Sequence, residues 1–217
     1  MSSIKTCVSL YSLQNEYMNH RMSLEDIFKF LHENKVVGVE VLPDQMLPGA
    51  PHPSEETLKN WDRLCETYDI KPVISDVFLN TNLYKNRELT KKECVELLID
   101  EIRLAHRMGM NIIRLVSMTP AFVLEPLLPY CEKYNVRMAL EIHAGLSFDK
   151  PKTRDYIKEM KRLNSPYIGL VIDSGIFCER VQRVMENYCK ALGTNQEPID
   201  VVNKLFKEGK DGRAVYG

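Results

Sequence analysis

The sequence predicts an α/β fold of the (β/α)-barrel class, and three observations carry that prediction. Strand-like and helix-like segments alternate along the whole chain with little between them, the pattern of parallel β/α units. No G-x-G-x-x-G follows the first strand, which removes the main support for a doubly wound dinucleotide fold. Polar and charged residues stand near the carboxyl ends of several strands: Glu40, Asp76, Arg114, Glu141, His143 and Asp173. A barrel collects its site from many strand ends on one face, so this distribution favours a barrel over an open sheet.

The first strand is expected over residues 4–10. Ser23 then caps a helix in which Leu24, Ile27, Phe28 and Leu31 recur at helical spacing. Valine-rich residues 36–42 make the second strand. A Pro- and Gly-bearing loop, residues 42–53, leads to Ser54, placed to cap a helix carrying Trp61, Leu64 and Cys65. The third strand covers residues 71–79, and a polar loop follows it. Thr90 and Glu93 form a capping-box pattern that opens a long helix to about residue 108. Its apolar face is Val95, Leu98, Ile99, Ile102 and Ala105. Residues 111–116 are the fourth strand, after which Thr119 and Pro120 offer a cap and a first-turn proline. The fifth strand is 136–143, with a helix over 153–163. The sixth is 167–172, with helical material over 179–192 and 199–207.

These are six β/α units in a single domain, residues 1–217. A complete (β/α)8 TIM barrel usually needs ~250 residues. The closing DGRAVYG, residues 211–217, falls where a seventh strand is expected. The expectation is an incomplete barrel without its last two units, with sheet edges open on strands one and six.

Composition narrows the function. Lys and Arg number 29 against 30 Asp and Glu, interleaved, for a net charge of -1, which gives no basis for a broad nucleic-acid footprint. No apolar run is long enough for a membrane span, and the first residues carry no signal-peptide pattern. The six cysteines include no C-x-x-C pair and read as mostly buried, reduced thiols, so a cytoplasmic setting is expected.

The sharpest chemical feature is MALEIHAG, residues 138–145. Side chains alternate along a strand, so Met138, Leu140 and Ile142 share one face while Ala139, Glu141 and His143 share the other. The apolar set belongs against the outer helices, which turns Glu141 and His143 to the barrel mouth. A carboxylate and an imidazole in an apolar strand need a partner, either a metal ion or a polar group closing the barrel top. The run GLVI delivers Asp173 at the end of the sixth strand, facing inward if Gly169 and Val171 do. Neighbouring strands lie about 4.8 Å apart, so Glu141 and Asp173 are within reach of one cation. Asp173 serves equally as the cap of the turn after it.

A carboxylate ending strand five and an Asp ending strand six, with the GVEV stretch at 38–41, resemble the xylose isomerase-like barrel family of sugar and sugar-phosphate isomerases and epimerases. The resemblance implies Glu141 and Asp173 as two ligands of one divalent cation. The family's His from strand seven and Glu from strand eight have no counterpart. His143, two residues after Glu141, and the SGIF stretch after Asp173 resemble the catalytic subunits of bacterial C-glycoside deglycosidases more closely. Those enzymes cleave carbon-linked sugars from aromatic aglycones once the sugar is oxidised, together with a smaller β-subunit. That likeness implies His143 as general base.

The chemistry agrees with first principles. A divalent cation held by carboxylates polarises hydroxyl or keto oxygens and stabilises an enediolate, while histidine moves protons near neutral pH. Oxygen ligands favour Mn²⁺ or Mg²⁺. Catalytic roles therefore fall to His143 and Glu141. Arg114 is placed either to bind substrate oxygen or to pair with Glu141 or Asp76. Glu40 and Asp76 are further substrate-side candidates, with His20 in the first βα loop. His52 shares the ambiguity of His20, and His32 and His106 fall on helices away from the mouth.

The leading reading is a divalent-metal-dependent isomerase or epimerase on a sugar or sugar conjugate. The alternative is a C-glycoside deglycosidase catalytic subunit, a carbon–carbon lyase on 3-keto C-glycosides. A metal-dependent endonuclease is disfavoured by neutral charge and five histidines. The non-enzymatic reading is a truncated barrel that needs a partner chain, either a small β-subunit or a second copy in a homo-oligomer.

Overall fold

The structure, a computed structural model, describes residues 6–116, 119–143, 147–178 and 180–210. Its strands are β1 (Val8–Ser9), β2 (Gly38–Val41), β3 (Lys71–Val77), β4 (Ile112–Leu115), β5 (Arg137–Ile142) and β6 (Ile168–Ile172). They form one sheet in the order β1-β2-β3-β4-β5-β6, with every neighbouring pair parallel. A doubly wound sheet reverses its order at a switch point, whereas this order advances in one direction, as strands do around a barrel. Among the described residues the expected barrel-type order is met in a six-stranded parallel sheet. The proposed seventh-strand start at residues 211–217 lies outside the described residues.

The helices are α1 (Gln14–Met18), α2 (Leu24–Glu33), α3 (Pro43–Met46), α4 (Glu55–Tyr68), α5 (Lys91–Arg107), α6 (Leu124–Tyr134), α7 (Pro151–Leu163), α8 (Arg183–Ala191) and α9 (Gln196–Lys207). Ser23 and Asp26 close a reciprocal capping box on α2, and Thr90 and Glu93 close one on α5. The Ser54 side chain accepts from the Thr57 amide at 3.1 Å to start α4. Trp61 of α4 meets Phe28 of α2 edge-on at 5.4 Å and donates its indole N–H to the Met108 carbonyl at 3.3 Å. That one side chain ties α2, α4 and the end of α5 together.

Several expectations need correction. β1 is only two residues long, since Leu10–Leu13 turns into a 3₁₀ helix and residues 1–5 lie outside the described residues. Thr119 caps no helix: its hydroxyl donates to the Val116 carbonyl at 3.2 Å, and Pro120 begins a short 3₁₀ turn, Ala121–Val123, that runs into α6. On α5, buried Cys94 leads the apolar face and Val95 is half-buried. The short α1 and α3 fall in segments read as loops, being too brief to show a helical period. Of the cysteines only Cys94 and Cys131 are buried, fewer than expected.

Residues up to Ile172 form one compact unit, and those from Asp173 onward form a second. In the first, the apolar faces of α2, α4, α5 and α6 bury Phe28, Leu64, Ile102 and Leu127. In the second, Asn203 of α9 accepts from the Val181 amide at 3.0 Å and donates to Glu186 of α8 at 2.9 Å, and Arg180 meets the same Glu186 at 2.7 Å. Among the described residues no helix is long and apolar enough to cross a membrane.

Candidate active site at the strand ends

Register places the charged residues. In a parallel pair, residues opposite each other share a face, and residues two apart on one strand do as well. Ser9 pairs Glu40, Glu40 pairs Ile74, Asp76 pairs Arg114, and Arg114 pairs Ala139. Glu40, Asp76, Arg114 and Glu141 therefore project from one face on four successive strands, each step shifted along the strands. Ala139 pairs Gly169 and Glu141 pairs Val171, so Gly169 and Val171 share that face, the condition set for Asp173. Met138, Leu140 and Ile142 are buried on the other face, as expected.

Arg114 is the hub. Its Nη2 donates to Asp76 Oδ2 at 2.7 Å, and its Nε lies 2.5 Å from Asp76 Oδ1 as a charge contact rather than an aligned hydrogen bond. Nη2 also reaches Glu40 Oε1 at 3.3 Å, and Nη1 reaches Glu141 Oε1 at 3.2 Å. Both pairings considered for Arg114, with Asp76 and with Glu141, are formed at once. The Asp76 side chain is fully enclosed, while Glu141 retains 13% exposure. Burial first, and the Glu40 charge second, push the Asp76 carboxyl up to about 8, with Arg114 pulling the other way. Three carboxylates against one guanidinium leave an excess of negative charge, which disfavours the ionised form of Asp76.

The remaining candidates sit as follows. His143 comes directly after β5 and is half-buried. Asp173 opens the second unit, where its Oδ1 accepts from the Gly175 amide at 2.7 Å and caps the 3₁₀ turn Ser174–Phe177. The capping role considered for it is therefore formed. His20 is exposed, in left-handed backbone at φ 55°, and lines an open groove of about 940 Å³ with Met18, Met46 and Arg63, none of which belongs to the Arg114 cluster. His52 pairs with Asp100 at 3.3 Å, the His32 ring meets the Tyr68 carbonyl at 2.8 Å, and His106 packs on Tyr134. Ser9 was missed by the sequence reading. Its hydroxyl oxygen is buried beside Glu40 without a hydrogen bond among the described residues, and only the β1–β2 register reveals it.

Carboxylate oxygens are the donors a hard divalent cation prefers, but here all three carboxylates are taken up by Arg114. Among the described residues no group of three or more His, Cys, Asp or Glu is arranged to hold a metal ion. The Arg114 cluster by itself therefore does not form a cation site, and Glu141 is its most accessible carboxylate.

The family model described as xylose isomerase-like TIM barrel matches residues 28–180. The 3'-dehydrocarminate deglycosidase alpha subunit of a Microbacterium species is 25% identical over 200 residues, covering 92% of this chain and 58% of its own length. A C-glycoside deglycosidase alpha subunit of Arthrobacter globiformis is 29% identical over 209 residues, covering 93% and 57%. This chain thus spans less than two thirds of the length of these curated relatives. Among solved structures, the IOLI protein with a bound zinc atom superposes with a TM-score of 0.60 at 18% identity, over 84% of this chain and 67% of that one. At that identity the likeness is one of fold.

Proposed function

Because this chain belongs to the xylose isomerase-like TIM barrel family, we propose that it forms the catalytic face of a C-glycoside deglycosidase, a carbon–carbon lyase that works by proton transfer on an oxidised sugar. The single observation that carries this reading is the Glu40–Asp76–Arg114–Glu141 cluster, an acidic polar centre at the strand ends of a barrel sheet. The alpha-subunit deglycosidase names of relatives matched across 92% and 93% of the chain support this reading over isomerisation or epimerisation. Those names also support a second chain as partner.

Glu141 and Asp173 are the carboxylates that would hold Mn²⁺ or Mg²⁺, by the family resemblance. When bound, such a cation supplies a Lewis acid for neighbouring sugar oxygens. His143 takes the proton from the sugar carbon beside the keto group, the bond to the aglycone breaks, and the aglycone carbon receives a proton. Arg114 orients a sugar oxygen, with Asp76 and Glu40 fixing the guanidinium plane.

The test is aglycone release from a 3-keto C-glycoside in the presence of Mn²⁺, followed by chromatography. Release that falls by about 100-fold or more in His143→Ala, the scale of a lost general base, supports the reading. Epimerised keto-sugar without aglycone would replace it with the epimerase alternative. Release unchanged in His143→Ala would remove that residue from the chemistry.

A further inference from the structure

The connection from β2 to α4, residues 42–53, meets α5 at two ionisable points. His52 Nε2 stands 3.3 Å from Asp100 Oδ2, an ionic attraction only while the imidazole is protonated. The next residue of α5, Glu101, is half-buried and forms no ion pair among the described residues. The charges that act on it are those of Asp44, on α3, and Asp100, both of its own sign. Burial first, then those two charges, push the Glu101 carboxyl up to about 7. Nearby cations are committed elsewhere. Arg103 donates to Asp100 at 2.8 Å, and Arg107, which lines a cleft of about 300 Å³ with Arg103 and His52, pairs with Asp62 of α4 at 3.0 Å. Asp76 of β3 is held by Arg114. The other side of the same connection supplies Met46, Leu47 and Pro48 to the open groove that His20 lines.

We propose that residues 42–53 are a pH-sensitive strap, fastened to α5 through Asp44–Glu101 and His52–Asp100 in acid and loosened in alkali, which opens one wall of the groove. Both fastenings change in the same direction. The Glu101 pKa is raised above its ordinary 4.5 in the closed strap, so that contact is at full strength below 4.5 and is lost as pH climbs through about 7. Once ionised, Glu101 faces the like charges of Asp44 and Asp100 in a half-buried place. Loss of the His52 proton removes the attraction to Asp100 at the second point. Buried Met46 and Leu47 keep the opened strap a minor form, a local opening rather than unfolding.

The test is hydrogen exchange read by mass spectrometry at pH 6 and pH 8, corrected for the intrinsic exchange rate. Protection of the Gln45, Met46 and Leu47 amides, which bond to the Leu42 and Pro43 carbonyls, is compared with that of α7, which shares any global effect of pH. A carboxyl at about 7 in the closed strap and 4.5 in the open one predicts about a tenfold fall in the strap's protection. Glu101→Gln has no proton to lose and should remove most of that fall. His52→Gln should trim it by about twofold, the scale of an exposed ion pair. Strap protection that follows α7 between the two pH values, or a full fall that persists in Glu101→Gln, overturns the proposal. A wild-type fall in His52→Gln overturns the two-point fastening. If Glu101→Gln fails to fold, Asp44→Asn decides: it removes the facing charge and should shrink the fall, and an undiminished fall there contradicts the strap. Neither sugar nor cation is present, so the outcome is independent of the proposed lyase reaction.

Discussion

The segments on either side of Asp173 share an amphipathic pattern but differ in what they bury. Before it, α4 buries Leu58, Trp61 and Leu64, and α5 buries Leu98, Ile102 and Ala105. After it, α8 has apolar Val184, Tyr188 and Leu192 near it or on it, all exposed, and its buried residue is Glu186. Periodicity says which residues share a helix face, and only a neighbouring surface decides whether that face leaves water. The first unit supplies such a surface in its six-stranded sheet. The same sheet buries Glu40 and Asp76, because Arg114 is at hand to pair them.

The sharpest way to break this comparison is truncation on each side. Trp61→Ala should lose about 3–5 kcal/mol in urea unfolding, the cost of a vacated aromatic core site. Tyr188→Ala, at a position 60% exposed, should stay within about 0.5 kcal/mol. Comparable losses at both would show that the two units are packed alike.

A smaller effect comes from pH. The Asp76 pKa is raised on folding, so its stabilising contribution is full below the ordinary carboxylate value and is lost as pH climbs through about 8. Unfolding free energy measured by urea titration between pH 6 and 9 should fall, by at most about 1.4 kcal/mol per pH unit for one proton. Asp76→Asn should flatten that slope, and a slope equal in both proteins would assign it to other groups.

Smallest is the contrast in caps. Thr90→Ala removes a reciprocal cap on α5 and should cost about 1 kcal/mol. Asn195 begins α9 without a side-chain cap bond, so Asn195→Ala should change thermal unfolding by only a few tenths of a kcal/mol. Equal losses would contradict the distinction.

Much of this architecture was legible in the sequence. Period-two strands and capped helices fixed the order of elements, and Glu40, Asp76, Arg114 and Glu141 stood out as charges where apolar residues belong. Their convergence on one guanidinium was not legible, because it depends on register: Asp76 lies opposite Arg114, while Glu40 and Glu141 are offset along their strands. Ser9 escaped for the same reason. Thr119 was misread because a Thr-Pro pair signals a helix start by composition, while its hydroxyl had a nearer acceptor in Val116.

The most direct test of the central claim, that the strand-end face of the first unit moves a proton on a sugar, is solvent-deuterium wash-in. A 3-keto C-glycoside incubated with Mn²⁺ and the protein in heavy water is followed by NMR at the carbon beside the keto group. The account predicts exchange with the wild type and its loss in both His143→Ala and Glu141→Gln. Exchange that persists at wild-type rate in both variants would contradict it.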